Sequence, residues 1–410
     1  MPSKPVGKRN RVAVSSNRTP SRAVAIAKEL QPRIREDAVA RDRERRFPIE
    51  ETRWVKESGL CGLFVPEESG GLGGDARDLV HVLSALSEGD SSIAQMFLIH
   101  MYGIALIKGV HASDEVRERY YERIVKDGMF ISNAFSEVGS KTVFDYSVSL
   151  EPKDDTTWVL NGSKFYCTGS HAGDVFYVLG LRQAEPEPEF LMAIIEKDDA
   201  GLVINDDWSG MGQKTTSSGS MEFQNVEVPA DAVFTIDHFN TPEAVFGSLG
   251  QCMFSAIFLG IARGALADAC DYVRTRSRPW PHAEVERAAD DPYVVHTIGQ
   301  MQTRVSAAEA MLERAIDIRL ESVANLSAEA RDRASVAAAQ AKIVTGQAAL
   351  DVSELLFKVC GTGSVREDFG YDRHWRNART LTLHDPVAYK VKLVGDYVLN
   401  GISPPISVYT

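Results

Sequence analysis

The segment from Tyr371 to Pro386 carries an unusual density of groups that can do chemistry: three arginines, an asparagine, a tryptophan and two histidines in sixteen residues. So polar a run between two helical segments is poor core material unless its side chains meet a ligand, a partner subunit or each other. Trp375, Leu381 and Leu383 indicate that the segment is at least half buried. An imidazole has an ordinary pKa of about 6.5 and exchanges a proton near neutral pH, so His384 is a candidate acid–base residue. A solvated turn, or a helix-start residue without chemistry, remains the alternative.

The elements that must position this segment fall into three blocks. From Ser21 to about Gly128, apolar residues recur at helical spacing. Short β-branched and aromatic runs follow, joined by turn formers, at 143–150, 157–160, 164–168, 175–181, 190–195 and 221–228. After Pro242, long segments rich in Ala and Leu predict a helical bundle, near 243–276, 290–324, 327–358 and 386–399. We therefore predict a disordered basic tail (1–22), an N-terminal helical domain (23–130), a middle β domain (131–240) and a C-terminal bundle (241–410).

Composition and charge narrow the class of protein. The net charge of −12 disfavours a surface that follows nucleic-acid phosphates, which needs clustered Lys and Arg in excess. Five scattered cysteines without a CxxC pair indicate neither a zinc site nor a disulfide framework, and favour the reducing cytoplasm. The basic tail has no apolar stretch of the secretory kind, although its composition is also that of a transit peptide. The apolar stretch 93–107 is too short to span a bilayer and predicts a buried helix.

Several strings resemble the acyl-CoA dehydrogenase superfamily over nearly the whole chain from about Arg33. They are LFVPEESGGLGG at 63–74, FSE at 135–137 followed by Gly139 and Ser140, LNGSKFYCTG at 160–169 and GTG at 361–363. Val138 departs from the pattern, which has proline there. The resemblance implies an α+β protein with an N-terminal helical domain, a middle β-barrel domain and a C-terminal four-helix bundle.

A closer resemblance is to the flavin-dependent monooxygenases of the dibenzothiophene monooxygenase type. The strings that carry it, in order, are SNAFSE at 132–137, NDDW at 205–208, MGQ at 211–213, SSGS at 217–220, TRSRPW at 275–280, DPY at 291–293 and DRHWRNARTLTLHDP at 372–386. One departure is Leu381, since the type enzyme has a second histidine at this position. We expect the substrate pocket to differ accordingly.

The resemblance implies a role for each matching residue. Asn133, Ser136, Tyr166 and Thr168 would contact the flavin, with His384 beside its reactive C4a edge. The flavin phosphate would meet Arg278, Gly361, Thr362 and Gly363, with Arg278 acting across a subunit boundary. His100, Trp208 and Leu381 would line the substrate pocket. For each the ordinary alternative stays open: a satisfied core histidine for His100, core aromatics for Tyr166 and Trp208, a strand residue for Thr168, a turn or cap for Asn133, a surface ion pair for Arg278 and a helix end for the glycines.

The chemistry expected from this resemblance is oxygenation. An acyl-CoA dehydrogenase needs a carboxylate base, yet Glu367 is the last glutamate of the chain and residues 244–267 contain neither Asp nor Glu. A histidine at the flavin edge instead suits transfer of oxygen through a C4a adduct. The resemblance implies reduced FMN delivered by a separate flavin reductase, O₂, a small sulfur-containing or heteroaromatic substrate, a homotetramer and no metal. FAD is the alternative cofactor, and the rival functions are an FAD-dependent acyl-CoA dehydrogenase and a non-catalytic relative.

Overall fold

The computed structural model describes residues 21–109, 113–139, 145–236 and 241–410. Almost all of the predicted tail lies outside these ranges, but α1 already begins at Arg22 with Ser21 as its N-cap. The helices are α1 (Arg22–Glu36), α2 (Ala38–Glu44), α3 (Ile49–Glu57), α4 (Ala76–Gly89), α5 (Ser91–Gly109), α6 (Asp114–Asp127), α7 (Phe246–Thr275), α8 (Pro292–Ala324), α9 (Ala328–Cys360), α10 (Asp372–Thr382) and α11 (Val387–Asn400). The strands are β1 (Ile131–Ala134), β2 (Ser149–Pro152), β3 (Thr157–Lys164), β4 (Val175–Arg182), β5 (Glu189–Glu196), β6 (Leu202–Ile204), β7 (Met221–Pro229) and β8 (Val233–Thr235).

The N-terminal helices form a layer against the bundle. In α4 a capping box between Asp75 and Asp78 satisfies the first backbone N–H groups, so the helix starts at Ala76. The next helix, α5, is apolar on nearly every side and is buried accordingly. By length and composition α5 and α7 pass the test for membrane spans, yet 67% and 89% of their apolar windows are buried inside the protein. They are core helices, as predicted for 93–107.

The strands form one mixed sheet in the order β6-β7-β3-β2-β4-β5-β8, with β1 added in parallel to β4. One face of the sheet packs on the helices. The other encloses a smaller core that includes Leu160, Phe176 and Val226. The sheet therefore holds β1 firmly next to β4, one of its central strands.

The bundle is built around α9, which packs against α7, α8, α10 and α11. Lys342 in the middle of α9 lies against Phe254 near the start of α7, and Cys360 at the end of α9 lies against Ala269 further along α7. The two helices therefore run in the same direction. This shared direction places their C-terminal ends together.

Three predictions about local structure were wrong. The run 143–150 forms a strand only from Ser149, where β2 begins, and residues 143 and 144 lie outside the described ranges. The run 164–168 ends as a strand at Lys164, because Tyr166 adopts a left-handed backbone conformation with φ of 58°. The polar segment after Tyr371, which we expected between helices, is itself largely helical, since α10 covers Asp372–Thr382. Its polar side chains alternate with Ala378 and Leu381 at helical spacing, so one face is buried and the other is not.

Candidate functional site

The first part of the site is the short strand β1. Asn133 lies opposite Tyr177 of β4 in the parallel register and is buried. Its Oδ1 has no hydrogen-bond partner among the described residues. A buried carbonyl oxygen left unpaired destabilises the fold, so this atom is placed to accept a hydrogen bond from a bound molecule.

The second part is the turn that follows β3. Phe165 donates its N–H to the Ser136 carbonyl at 2.8 Å, which ties the half-buried Ser136 to the end of β3. The chain then reverses, with the Thr168 N–H 2.8 Å from the Tyr166 carbonyl. Ser132 of β1 donates to the Thr168 carbonyl. This last bond brings Thr168 beside the strand that carries Asn133.

Thr168 begins a chain of buried hydroxyl groups. Its Oγ1 lies 2.9 Å from Ser218 Oγ, which lies 2.7 Å from Thr216 Oγ1. Thr216 donates in turn to the Gln213 carbonyl at 2.9 Å. The network fixes the Thr168 side chain through uncharged groups, so its geometry does not depend on pH near neutrality.

Two aromatic side chains stand above this turn. The Tyr166 side chain is half exposed, and its ring meets the edge of Trp208 with the centroids 6.1 Å apart. Trp208 is held by its Nε1, which donates to the Gln213 carbonyl at 2.8 Å. The pair forms an accessible apolar wall beside Thr168, of the kind that a flat ring can pack on.

The third part of the site comes from the bundle. His384 lies between α10 and α11, with 41% of its side chain exposed. Its ring packs on Phe254 of α7 at 4.3 Å between centroids, and its Nδ1 lies 3.3 Å from Asp385 Oδ1. Desolvation of the ring by the surrounding protein lowers the pKa of His384 below its ordinary value. The hydrogen bond with the Asp385 carboxylate opposes this shift, and the positive charge of Lys342 adds to it. The imidazole is therefore neutral at neutral pH.

The structure places His100 deep in the core, where it is fully buried and stacked on Phe130. Its Nε2 lies 3.0 Å from the Cys61 carbonyl, and its Nδ1 accepts from the Ile131 N–H at 2.9 Å. Burial lowers the pKa of His100 to about 4. Both nitrogens are occupied by backbone groups, which favours the satisfied core histidine left open above. Its contact with Ile131 supports β1.

Leu381 is also buried, inside the main hydrophobic core on α10. Its role in a substrate pocket stays a prediction.

The residues expected at the phosphate lie elsewhere, at the far end of the bundle. Arg278 follows α7, is exposed, and has no hydrogen bond or ion pair to any described residue. Gly361 caps α9 with φ of 68°, and Thr362 and Gly363 are exposed beside it. A Cβ on Gly363 would come within 2.3 Å of the Tyr272 hydroxyl of α7, so any larger residue there would have to displace that side chain. Arg278 and the glycine turn thus share one end of the bundle.

Residues 246–267 of α7 contain no carboxylate that could serve as a dehydrogenase base, and the first one after them is not free. The first acidic residue of the helix is Asp268, which is paired with His374 at 2.6 Å, with Arg373 at 3.0 Å and with Arg35. Burial opposes its ionisation, but these partners outweigh that effect and hold the pKa of Asp268 below its usual range. It is a structural anion.

Three residues of the site escaped sequence reasoning. Phe254 and Lys342 belong to long apolar helices, and Tyr409 reaches His384 from the C-terminal end of the chain with ring centroids 6.1 Å apart. A signal existed for Lys342, because a single lysine interrupts an alanine-rich run in the middle of α9. Its buried position was nevertheless not visible from spacing alone.

Comparisons with known proteins agree with this geometry. Three acyl-CoA dehydrogenase family domains match, the N-terminal domain at 23–127, the middle domain at 136–226 and the C-terminal domain at 252–388. A dibenzothiophene monooxygenase of Rhodococcus qingshengii is 34% identical over 93% of this chain and 94% of its own length. This chain belongs to the acyl-CoA dehydrogenase family. The predicted fold class is thereby confirmed.

Solved structures agree as well. FMN-bound TdsC of Paenibacillus sp. A11-2 superposes with a TM-score of 0.91 at 33% identity, covering 95% of this chain and 100% of TdsC. Methanesulfinate monooxygenase MsuC of Pseudomonas fluorescens gives 0.88 at 29%, covering 94% and 99%. A probable FMNH2-dependent monooxygenase, SfnC of Pseudomonas putida, is 30% identical over 96% of this chain and 99% of its own length. The predictions of a flavin-dependent monooxygenase and of FMN as its cofactor are confirmed by these relatives, which match far better than the acyl-CoA dehydrogenases do.

Proposed function

We propose that this chain is the oxygenase component of a two-component monooxygenase, which takes FMNH2 from a separate flavin reductase and transfers one oxygen atom of O₂ to a small substrate. The sequence has no Gly-x-Gly-x-x-Gly motif after a predicted strand, so it offers no NAD(P)H site of that kind. The reductant must then arrive as reduced flavin. The five cysteines are all free, which fits an enzyme of the reducing cytoplasm.

The residues on the β side suit a flavin ring. Asn133 offers an unpaired buried acceptor, and Thr168 offers a hydroxyl held in place by Ser218. The exposed Tyr166 ring supplies a flat apolar surface, and Ser136 lies where β1 joins the turn. These residues would bind and orient FMN and exclude water from one side of it. Reduced FMN, when bound, supplies the electrons that activate dioxygen.

His384 would exchange the proton that this chemistry needs. An ionised Asp385 accepts from Nδ1–H, which leaves Nε2 as a proton acceptor. Phe254 fixes the ring from the α7 side. The one observation that carries the proposal is this imidazole, held by Phe254 and Asp385, whose neighbouring carboxylate is itself paired with Lys342 and Lys390.

A complete flavin site would need a second copy of the chain. His384 packs on Phe254 while Gly363 packs on Tyr272, and these two residues of α7 are 18 positions apart along the helix. At 1.5 Å per residue the two ends of the site are about 27 Å apart in one protomer. That span exceeds the reach of one FMN, so Arg278 and the glycine turn would serve the flavin of a neighbouring subunit.

The surface of α11 supports such an assembly. Tyr389, Val391, Val398, Leu399 and Ile402 are each more than half exposed. A groove of about 370 Å³ lies next to them between α8, α9 and α11. Exposed apolar surface of this extent is typical of a subunit interface, so we infer a homo-oligomer and favour a tetramer.

For the substrate we propose a neutral sulfur-containing or heteroaromatic molecule. Phe254 provides aromatic surface at His384, and Trp208 and Tyr166 provide it beside Thr168. The lysines nearest His384 are both paired with Asp385, so neither is free to hold an anion such as a sulfinate. The relatives act on both kinds of compound by name, dibenzothiophene in one and methanesulfinate in the other.

The test supplies the full-length protein with FMN, a flavin reductase, NADH and isotopically labelled O₂. Dibenzothiophene, indole and methanesulfinate are offered separately, and products are measured by mass spectrometry. We expect labelled oxygen in the products of the aromatic compounds. The variant His384→Gln should abolish this incorporation. Peroxide release without labelled product from any compound would contradict the proposal. Anaerobic bleaching of bound flavin by acyl-CoA thioesters would favour the dehydrogenase instead.

A further inference from the structure

A cluster of buried charges lies directly beneath His384. Lys342 of α9 is completely buried, and Asp385 and Lys390 are nearly so. Lys342 pairs with Asp385 Oδ1, and Lys390 Nζ lies 2.8 Å from Asp385 Oδ2. Burial of a lysine ammonium costs desolvation free energy, and the family resemblance assigns no role to these residues.

Lys342 contacts both groups that hold His384. One is Asp385, the partner of His384 Nδ1 at 3.3 Å. The other is Phe254, whose ring centroid is 5.0 Å from Lys342 Nζ and 4.3 Å from the His384 ring. A residue that only joined α9 to α11 would need the carboxylate but not the ring. The geometry therefore connects Lys342 with the imidazole by two independent routes.

The positive and negative charges around His384 do not cancel. The charged groups that face it are Lys342 from α9, Lys390 from α11 and Asp385 itself, while α7 contributes the uncharged Phe254. Tyr409 approaches from the C-terminal end. Two ammonium groups against one carboxylate leave a net positive charge, which disfavours a further proton on the imidazole.

We propose that Lys342 is a positioning residue that keeps His384 neutral, with Nδ1–H held by Asp385 and Nε2 available as a proton acceptor. This inference rests on the proposed function for its purpose but not for its test. Lys342 acts through Asp385 and Phe254 and does not itself touch the reacting molecules.

The directions of the pKa shifts agree with this arrangement. Burial lowers the pKa of Lys342 to about 8, against the pull of Asp385. Burial works against ionisation of Asp385, yet the hydrogen bond with His384 and the two lysines hold its pKa well below the usual range. Lys342 therefore stays mostly cationic near neutral pH, and Asp385 stays anionic.

The experiment measures the titration of His384 directly. Hydrogen–deuterium exchange at the imidazole Cε1, followed by mass spectrometry of peptides, reports each histidine separately in the full-length protein. We expect Lys342→Met to move the midpoint of His384 to higher pH and Lys342→Arg, which keeps the charge, to restore it. His81 on the surface of α4 is the internal reference and should exchange alike in all variants. Equal midpoints in wild type and Lys342→Met would overturn the inference.

A second variant separates charge from simple loosening. Asp385→Asn removes the group that favours the imidazolium, so the midpoint of His384 should move to lower pH, opposite to Lys342→Met. Loosening alone would expose the ring and raise both midpoints. If Asp385→Asn does not fold, the double variant Lys342→Met/Asp385→Asn replaces it and should titrate below Lys342→Met. If Lys342→Met does not fold, Lys390→Met should give a smaller upward shift.

Turnover then links the titration to function. In the coupled assay with FMN and reductase, Lys342→Met should shift the acid limb of the kcat profile to higher pH while KM changes little. The surface variant Lys392→Met on α11 should leave the profile unchanged. A chain without oxygenase activity would sink the proposed function, whereas the exchange midpoints would still decide the role of Lys342.

Discussion

The two sides of the candidate site are built from opposite kinds of group. On the sheet side, Asn133, Thr168 and Ser218 are uncharged and are held by strands and hydroxyl bonds. On the bundle side, His384 packs on three charged residues, Asp385, Lys342 and Lys390, which come from α9, α11 and the link before α11. The sheet side can only hold a molecule in place, whereas the bundle side can also move a proton. Binding and proton transfer should therefore respond to different mutations.

The largest effect should follow the loss of the imidazole. His384→Gln keeps a polar side chain of similar size but cannot exchange a proton at neutral pH. We expect product formation to fall by about 100-fold or more while FMN affinity stays within a few fold. Steady-state turnover and fluorescence titration of FMN measure the two quantities. If the variant turned over at the wild-type rate, the division between the two sides would be wrong.

Acidification should lower the stability of the fold through His100, which supports β1. Stability near neutral pH should not depend on the protonation of this residue. The pKa of His100 in the folded protein is about 4, below the ordinary value of 6.5, so the unfolded chain takes up a proton first as the pH falls. The neutral His100 makes its full contribution to the free energy of unfolding above pH 6.5. This contribution, at most about 3 kcal/mol, is lost as the pH falls towards 4. His100→Gln, whose amide can replace both hydrogen bonds, should flatten this dependence in chemical denaturation.

His296→Gln is the matched control for this measurement, since His296 is exposed on α8 and has no hydrogen bond or ion pair to another described residue. An unchanged slope in His100→Gln would show that other groups, such as the buried His374, set the acid limit.

Loss of the unpaired carbonyl on β1 should weaken cofactor binding and little else. Asn133→Ala removes a buried acceptor that has no partner among the described residues, so the folded chain loses little stability. We expect FMN affinity to fall about tenfold. Equilibrium titration with FMN measures this, and thermal unfolding of the flavin-free protein is the control. A variant that binds FMN normally but unfolds easily would place Asn133 in the core and not in the site.

The smallest effect should come from the hydroxyl chain. Thr168→Val keeps the shape of the side chain but removes one hydroxyl partner of Ser218, so that Thr216 remains as its hydroxyl partner. We expect a loss of about 1 kcal/mol in unfolding free energy and a few-fold drop in FMN affinity. Ser218→Ala should behave similarly if the two hydroxyls act as one unit. An effect on the acid limb of turnover from either variant would contradict the separation of roles.

The sequence predicted much of this molecule because its local signals were consistent. The long helices α7, α8 and α9 begin and end within a few residues of the expected positions, since their apolar patterns and caps agree. The β-branched and aromatic runs located β3, β4, β5 and β7 and the start of β2, whereas the short strands β1, β6 and β8 were not predicted. Predictions failed where backbone conformation overrode propensity, at Tyr166 with its positive φ, and where polar residues formed a half-buried helix, in α10.

What the sequence determined by itself is the inventory: a histidine near the end of the chain, an asparagine after the first helical block, and a stretch at 244–267 without Asp or Glu. Tertiary structure alone decided which of these groups meet. It joined Lys342 to a histidine 42 residues further along the chain through Asp385 and Phe254. It also separated Arg278 from His384 by most of the length of α7. Contacts of this range arise from helix packing, and no local pattern in the sequence encodes them.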